Sequence, residues 1–157
     1  MKTLVIYYTR TGNTKFAAQT IGAELGADIE EVIDLKNRQG RLAFITAGRE
    51  ALSGKETEIA KTKKIPSNYD LIIIAQPVWA GNPTPAIRTY LNKNDLSGKK
   101  VALFFPNLNV DQAVEKTKAL MLNFTFVAEL AMPTKAFKNK EEAKKKIVEW
   151  CNTLKMA

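Results

Sequence analysis

The chain has 157 residues, 45% of them hydrophobic and 25% charged, with a net charge of +8, one cysteine and no histidine. That length and balance suit one globular domain with a full core. The missing histidine excludes Ser-His-Asp and Cys-His nucleophiles, histidine general bases and histidine-ligated metals.

No apolar run approaches the roughly 20 residues of a membrane span. The N-terminus has one lysine before a short apolar run, without the h-region or cleavage site of a signal peptide. The expected location is therefore the cytoplasm. The apolar run Thr3–Tyr8 predicts a first strand, and Thr9-Arg10-Thr11-Gly12-Asn13-Thr14 joins it to a helix near Asn13–Leu25. A short strand near Ile29–Val32 and a helix around Arg41–Leu52, closed by Ser53-Gly54, come next. Leu71–Ala75 is continuously apolar, as is Val101–Phe105, which suits strands covered on both faces. Between them, Thr84-Pro85-Ala86 reads as an N-cap followed by proline at the first helical position. That helix is expected to reach about Leu91, ahead of a turn at Asp95–Lys99. Asp111 is the expected cap of a helix running to about Leu122, and Thr125–Leu130 the last strand. Asn139 is placed to cap the final helix, with Glu141 and Glu142 in its first turn and lysines beyond, an order that complements the helix dipole.

Strands alternating with helices predict βαβ units and a mostly parallel sheet with helices on both faces: a three-layer α/β/α domain. Two features need no functional reading. Cys151 shares a helical face with Ile147, Trp150 and Leu154, so it is expected to be a small buried apolar residue. The lysines at 61, 63, 64, 138, 140, 144, 145 and 146 read as solvated helix and loop faces. No nucleic-acid-binding signature accompanies them, so nucleic acid is not the expected partner.

In open α/β sheets, ligands bind beyond the carboxyl ends of the strands. Three such ends are informative. Thr9–Thr14 combines hydroxyls, a glycine permitting close backbone approach, and a helix start whose N–H groups lack intrahelical partners. These suit a phosphate. It is neither a Walker A loop nor the dinucleotide glycine fingerprint. After the third strand, Pro77-Val78-Trp79-Ala80-Gly81-Asn82-Pro83 holds a tryptophan that is not expected to join a regular core layer; an indole there suits a planar ligand. After the fourth, Asn107, Leu108 and Asn109 offer amides for the polar edge of a ring. Together the three ends describe a phosphorylated planar ligand.

On these residues the chain resembles the flavodoxin family. Thr9-Arg10-Thr11-Gly12-Asn13-Thr14 is similar to its FMN phosphate loop, and Pro77–Pro83 to the loop flanking the flavin ring. Asp95–Lys100 leading into Val101–Phe105 is similar to the family's approach to its fourth strand. The resemblance implies a doubly wound five-stranded parallel sheet in the order 2-1-3-4-5 and FMN as cofactor. It implies that Thr9, Arg10, Thr11, Gly12, Asn13 and Thr14 hold the phosphate. Pro77, Val78, Trp79, Ala80 and Gly81 would flank the isoalloxazine, and Asn107, Leu108 and Asn109 would approach its pyrimidine edge.

Two departures stand out. The loop after the fourth strand lacks the tyrosine of long-known flavodoxins, and those proteins are acidic where this chain is basic. The segment Asn37–Lys64 has more the look of the smaller flavodoxin-like oxidoreductases. The expected function is electron transfer through bound FMN to a redox protein, with the positive charge favouring an acidic partner. The alternative is an oxidoreductase using NAD(P)H to reduce flavin or quinone.

Overall fold

The computed structural model describes residues 1–38 and 41–156, apart from the side chains of Arg41 and Phe44. Gln39 and Gly40, within the segment Asn37–Lys64 noted above, lie outside the described residues. Five strands form one parallel sheet in the order β2-β1-β3-β4-β5. They are β1 (Thr3–Tyr7), β2 (Asp28–Glu31), β3 (Leu71–Ala75), β4 (Lys100–Phe105) and β5 (Thr125–Ala131). The helices are α1 (Asn13–Leu25), α2 (Arg41–Leu52), α3 (Pro85–Lys93), α4 (Asp111–Lys118) and α5 (Lys140–Lys155). The order reverses at β1, whose neighbours are β2 on one side and β3 on the other.

The continuous apolar runs are what this sheet requires. Successive strand side chains point to opposite faces. Leu4, Ile6, Ile72, Ile74, Leu103 and Phe105 therefore enter one core with Ala47 of α2, Ile87 and Tyr90 of α3, and Val114 of α4. Their alternates Val5, Ile73, Ala102 and Phe104 enter the other with Ile21 of α1 and Ile147, Trp150 and Leu154 of α5. The edge strands are weaker. All four β2 residues are only half-buried. β5 carries an irregularity: Val101 pairs with Phe126 but Ala102 with Ala128, leaving Val127 as the extra residue.

The helix ends follow the sequence with two differences. Asn139 caps α5 as expected, its side chain accepting from the Glu142 N–H at 3.2 Å. Thr84 stands at the N-cap of α3, but its hydroxyl donates to Gln76 Oε1 at 3.1 Å instead of capping. The hydroxyl gives its one proton to the buried Gln76 carboxamide, and its oxygen accepts no cap hydrogen bond. Asp111 does not cap α4. Val110 holds the N-cap and Asp111 is the first helical residue. The helix also stops at Lys118, short of Leu122.

Cys151 is fully buried, and burial pushes its thiol up to about 12, with Glu24 adding to the rise. A thiol held neutral and covered is a poor nucleophile. The folded protein is expected to leave a disulfide reagent such as DTNB untouched in mildly alkaline buffer, and the urea-unfolded chain to consume one equivalent. Rapid reaction of the native protein would contradict the packing of α5. No helix among the described residues is long and apolar enough to cross a membrane.

Candidate functional site

A cavity of about 530 Å³ opens at the carboxyl ends of β1, β3 and β4, beside the reversal in strand order. The loop after β1 supplies Arg10, Thr11, Asn13 and Thr14; the loop after β3 supplies Pro77, Val78, Trp79 and Ala80; the loop after β4 supplies Pro106 and Asn107. Helix α2 adds Ile45, Gly48, Arg49 and Leu52, and Thr134 follows β5.

The loop after β1 is shaped by its own residues. The Gly12 N–H donates to Thr9 Oγ1 at 3.0 Å, closing a tight turn. Gly12 has φ +96°, in a region that side chains disfavour, and it is the N-cap of α1. No side chain caps this helix, so its first N–H groups are left for another acceptor. Neither the Thr11 nor the Thr14 hydroxyl hydrogen-bonds another described residue. Thr14 is nevertheless buried. Thr9 thus serves the loop's shape, while Thr11, Asn13 and Thr14 face the cavity.

The loop after β3 is held at both ends. Gln76 Oε1 accepts from the Thr84 N–H at 2.9 Å, and its Nε2 donates to Thr117 Oγ1 of α4 at 3.2 Å. Trp79 and Asn82 exchange backbone hydrogen bonds of 3.1 and 3.0 Å across Ala80 and Gly81. Both central residues have positive φ, +50° and +70°, the pattern of a type I′ turn. Asn107 Oδ1 accepts from the Val78 N–H at 2.9 Å and ties the second loop to the third.

The tight turn explains where Trp79 goes. Contrary to expectation, its indole joins the larger core and is 8% exposed. It meets the Tyr8 ring edge-on, with centroids 5.6 Å apart. The two-residue turn folds the loop back on itself, so the ring both packs inward and walls the cavity. Gly81 is one step removed: a Cβ there would overlap the carboxamide of Gln112. Leu108 and Asn109 are exposed to solvent next to Asn107 and do not line the cavity.

Behind the cavity wall lies a cluster that sequence reading missed. Arg38 is 5% exposed. Its Nε donates to Asp34 Oδ2 at 2.5 Å and its Nη1 to Glu50 Oε2 of α2 at 2.6 Å. Lys36 pairs with the same Glu50. The Arg38 carbonyl accepts from Arg10 Nε at 3.1 Å, and its guanidinium lies 5.7 Å from the Trp79 ring centroid. Burial lifts the Tyr8 hydroxyl to about 12, with Asp34 adding to the rise, so it stays protonated.

Lys36 holds the Glu50 carboxyl below its ordinary range; burial opposes this and Arg38 reinforces it. A depressed carboxyl contributes stability that is present above its unfolded value near 4.5 and lost as pH falls through the lower folded value. Glu50→Gln is expected to flatten the acid limb of the unfolding free energy. An unchanged limb in urea titrations across that range would contradict the pairing.

Helix α2 was legible as a helix but not as a wall. The usable signal was apolar residues on two faces: Ala43, Ala47 and Ala51 on one, Leu42, Ile45 and Leu52 on the other. Only the first meets the core; the second is largely exposed.

A five-stranded 2-1-3-4-5 parallel sheet with its cavity at the order reversal defines the flavodoxin-like class of α/β proteins. The chain belongs to the flavodoxin family, whose sequence pattern it matches over residues 2–154. Among solved structures it is similar to a flavoprotein of Lactobacillus acidophilus NCFM in complex with FMN, at 26% identity and TM-score 0.68, covering 89% of this chain and 98% of that one. A candidate flavoprotein of Bacteroides uniformis has 20% identity and TM-score 0.76, over 96% and 97% of the two chains. A WrbA-like flavodoxin of Agrobacterium tumefaciens has 15% identity and TM-score 0.55, over 99% and 98%. No curated protein matches the chain.

Proposed function

We propose that this protein binds FMN in the cavity and carries electrons through it to a redox partner. The observation that supports this most directly is the uncapped start of α1. Its free N–H groups and the unpartnered hydroxyls of Thr11 and Thr14 lie at one end of a cavity whose other walls are Trp79, Pro77, Val78 and Ile45. One end suits a dianionic phosphate and the other a flat apolar ring, and the volume suits a ligand of nucleotide size. The FMN held by the L. acidophilus relative supports the choice of flavin.

On this reading the flavin supplies the redox chemistry, and the chain binds and orients it. Thr9 and Gly12 shape the phosphate loop, with Arg10, Thr11, Asn13 and Thr14 around the phosphate. Pro77 to Ala80 border the ring, and Gly81 gives their loop its turn. Asn107 fixes the two loops to each other, with Leu108 and Asn109 flanking the outer edge. A basic protein would meet an acidic partner at the open edge, and its charge would steer that encounter.

One observation favours a second reading, reduction by NAD(P)H. Arg49 lies at the cavity between Ile45 and Leu52, exposed, with no ion-pair partner among the described residues. A cation beside an apolar shelf suits an anionic dinucleotide. Anaerobic titration decides between the two. Two well-separated one-electron steps on photoreduction, with slow reaction toward NADPH, support the carrier. Prompt bleaching of the flavin by NADPH supports the reductase. A purified protein that neither contains nor binds FMN overturns both.

A further inference from the structure

The buried ionic cluster behind the cavity has a composition that cavity shape alone does not require. Arg38, Asp34, Glu50 and Lys36 form one connected set whose formal charges cancel. The Arg38 and Asp34 side chains are each only 4% exposed and that of Glu50 20%, so solvent screens them weakly. Arg38 does not border the cavity. It reaches it through two residues that do: Trp79, under its guanidinium, and Arg10, whose Nε bonds its carbonyl. Its Nη2 has no acceptor among the described residues although it is buried.

We infer that Arg38 is a positioning residue that couples this cluster to the flavin through Trp79, and that the cluster's charge balance sets the flavin's reduction potential. The inference rests on the FMN reading above. Reduction places negative charge on the flavin ring. A cluster that is neutral overall acts on that charge only through where its members sit, with Arg38 nearest Trp79 and Lys36 half exposed. Unbalancing it would favour or oppose that charge, with a sign fixed by which member is removed. Loss of Arg38 leaves an excess negative charge beside Trp79 and opposes reduction. Loss of the Glu50 charge leaves an excess positive one and favours it. A purely mechanical role, loosening Trp79, would move the potential the same way in both variants.

The test uses the FMN-loaded full chain and three variants: Arg38→Met, Glu50→Gln and the double variant Arg38→Met/Asp34→Asn. FMN affinity is measured first by fluorescence quenching, and then the potential by anaerobic dithionite titration against reference dyes. Arg38→Met should shift to a more negative potential and Glu50→Gln to a more positive one. The double variant, again balanced, should return to the parent value. In the flavin-free protein with Trp150→Phe, which leaves Trp79 as its one indole, Arg38→Met should also change the Trp79 emission. Should Arg38→Met fail to fold, the positive shift in Glu50→Gln still decides. Shifts of one sign throughout, no shifts, or an unchanged Trp79 emission would overturn the inference while FMN binding stands. A parent protein that binds no FMN overturns the FMN reading and this inference with it.

Discussion

Gly12→Val is expected to raise the Kd for FMN by roughly tenfold to several hundredfold while leaving riboflavin affinity nearly unchanged. The reasoning starts at φ +96°. For ordinary L residues even the left-handed well costs about 1–2 kcal/mol, and a β-branched side chain at this φ is worse placed. Space is not the obstacle, since a Cβ at Gly12 would meet nothing within 4 Å. The backbone would relax instead, and the hydrogen bond from Gly12 to Thr9 would go with it. The N–H groups at the start of α1 would then no longer converge. Each hydrogen bond to a charged group contributes about 1.5–3 kcal/mol. Losing one of them outright, or one and a small part of a second, converts to the stated range at about 1.4 kcal/mol per factor of ten. Riboflavin lacks the phosphate, so it isolates the ring pocket. Thr14→Val, a near-isosteric loss of one hydroxyl, should give a smaller change of the same kind. Equal losses for FMN and riboflavin would remove the phosphate from this loop.

Much of the fold and of the site is legible in the sequence. The runs Leu71–Ala75 and Val101–Phe105 are continuous because both faces of a parallel strand are covered, and the structure places them at the centre of the sheet. Asn139 was legible as a cap because only its own third neighbour is needed to satisfy it. Thr84 and Asp111 were less so. Whether a residue caps depends on what else its side chain bonds and on where the helix begins: Gln76 takes the Thr84 hydroxyl proton, and α4 begins at Asp111 itself. The site divides along the same line. The loops after β1, β3 and β4 announce themselves through Gly, Pro, Asn and Trp at strand ends. The packing of Trp79 does not, since it follows from positive φ at Ala80, a residue with no obvious turn preference.

Arg38 marks the limit of the sequence reading. It stands in a polar stretch where an exposed arginine is the ordinary expectation. Its burial depends on Asp34 four residues before it and Glu50 twelve residues after it, on two segments whose juxtaposition only the fold creates. The exposed apolar face of α2 was open to the same difficulty. Leu42, Ile45 and Leu52 look like core positions until Ala47 and Ala51 are seen to occupy that role.

The largest stability effect is expected at Arg38. Arg38→Met keeps the stem and removes the charge, leaving the Asp34 carboxylate buried beside an apolar side chain. Thr57 Oγ1 and the Lys36 N–H still donate to Asp34, at 2.8 and 2.9 Å, but no cation among the described residues remains paired with it. Breaking a buried pair by removing one partner costs about 3–5 kcal/mol. The contact over Trp79 adds up to about 2 kcal/mol. Against the 5–15 kcal/mol typical of a whole domain, the variant should fold but melt well below the parent, by roughly 6–28 °C for a chain of this size. Adding Asp34→Asn should recover a large part of the loss, because the uncompensated carboxylate, not the missing arginine, is the main cost. Urea unfolding of the parent, the single and the double variant measures this, with equal m-values required for the comparison. If the double variant is no more stable than Arg38→Met alone, the Asp34 carboxylate is not the source of the loss, and the weight shifts to the packing of the arginine stem between α2 and Trp79.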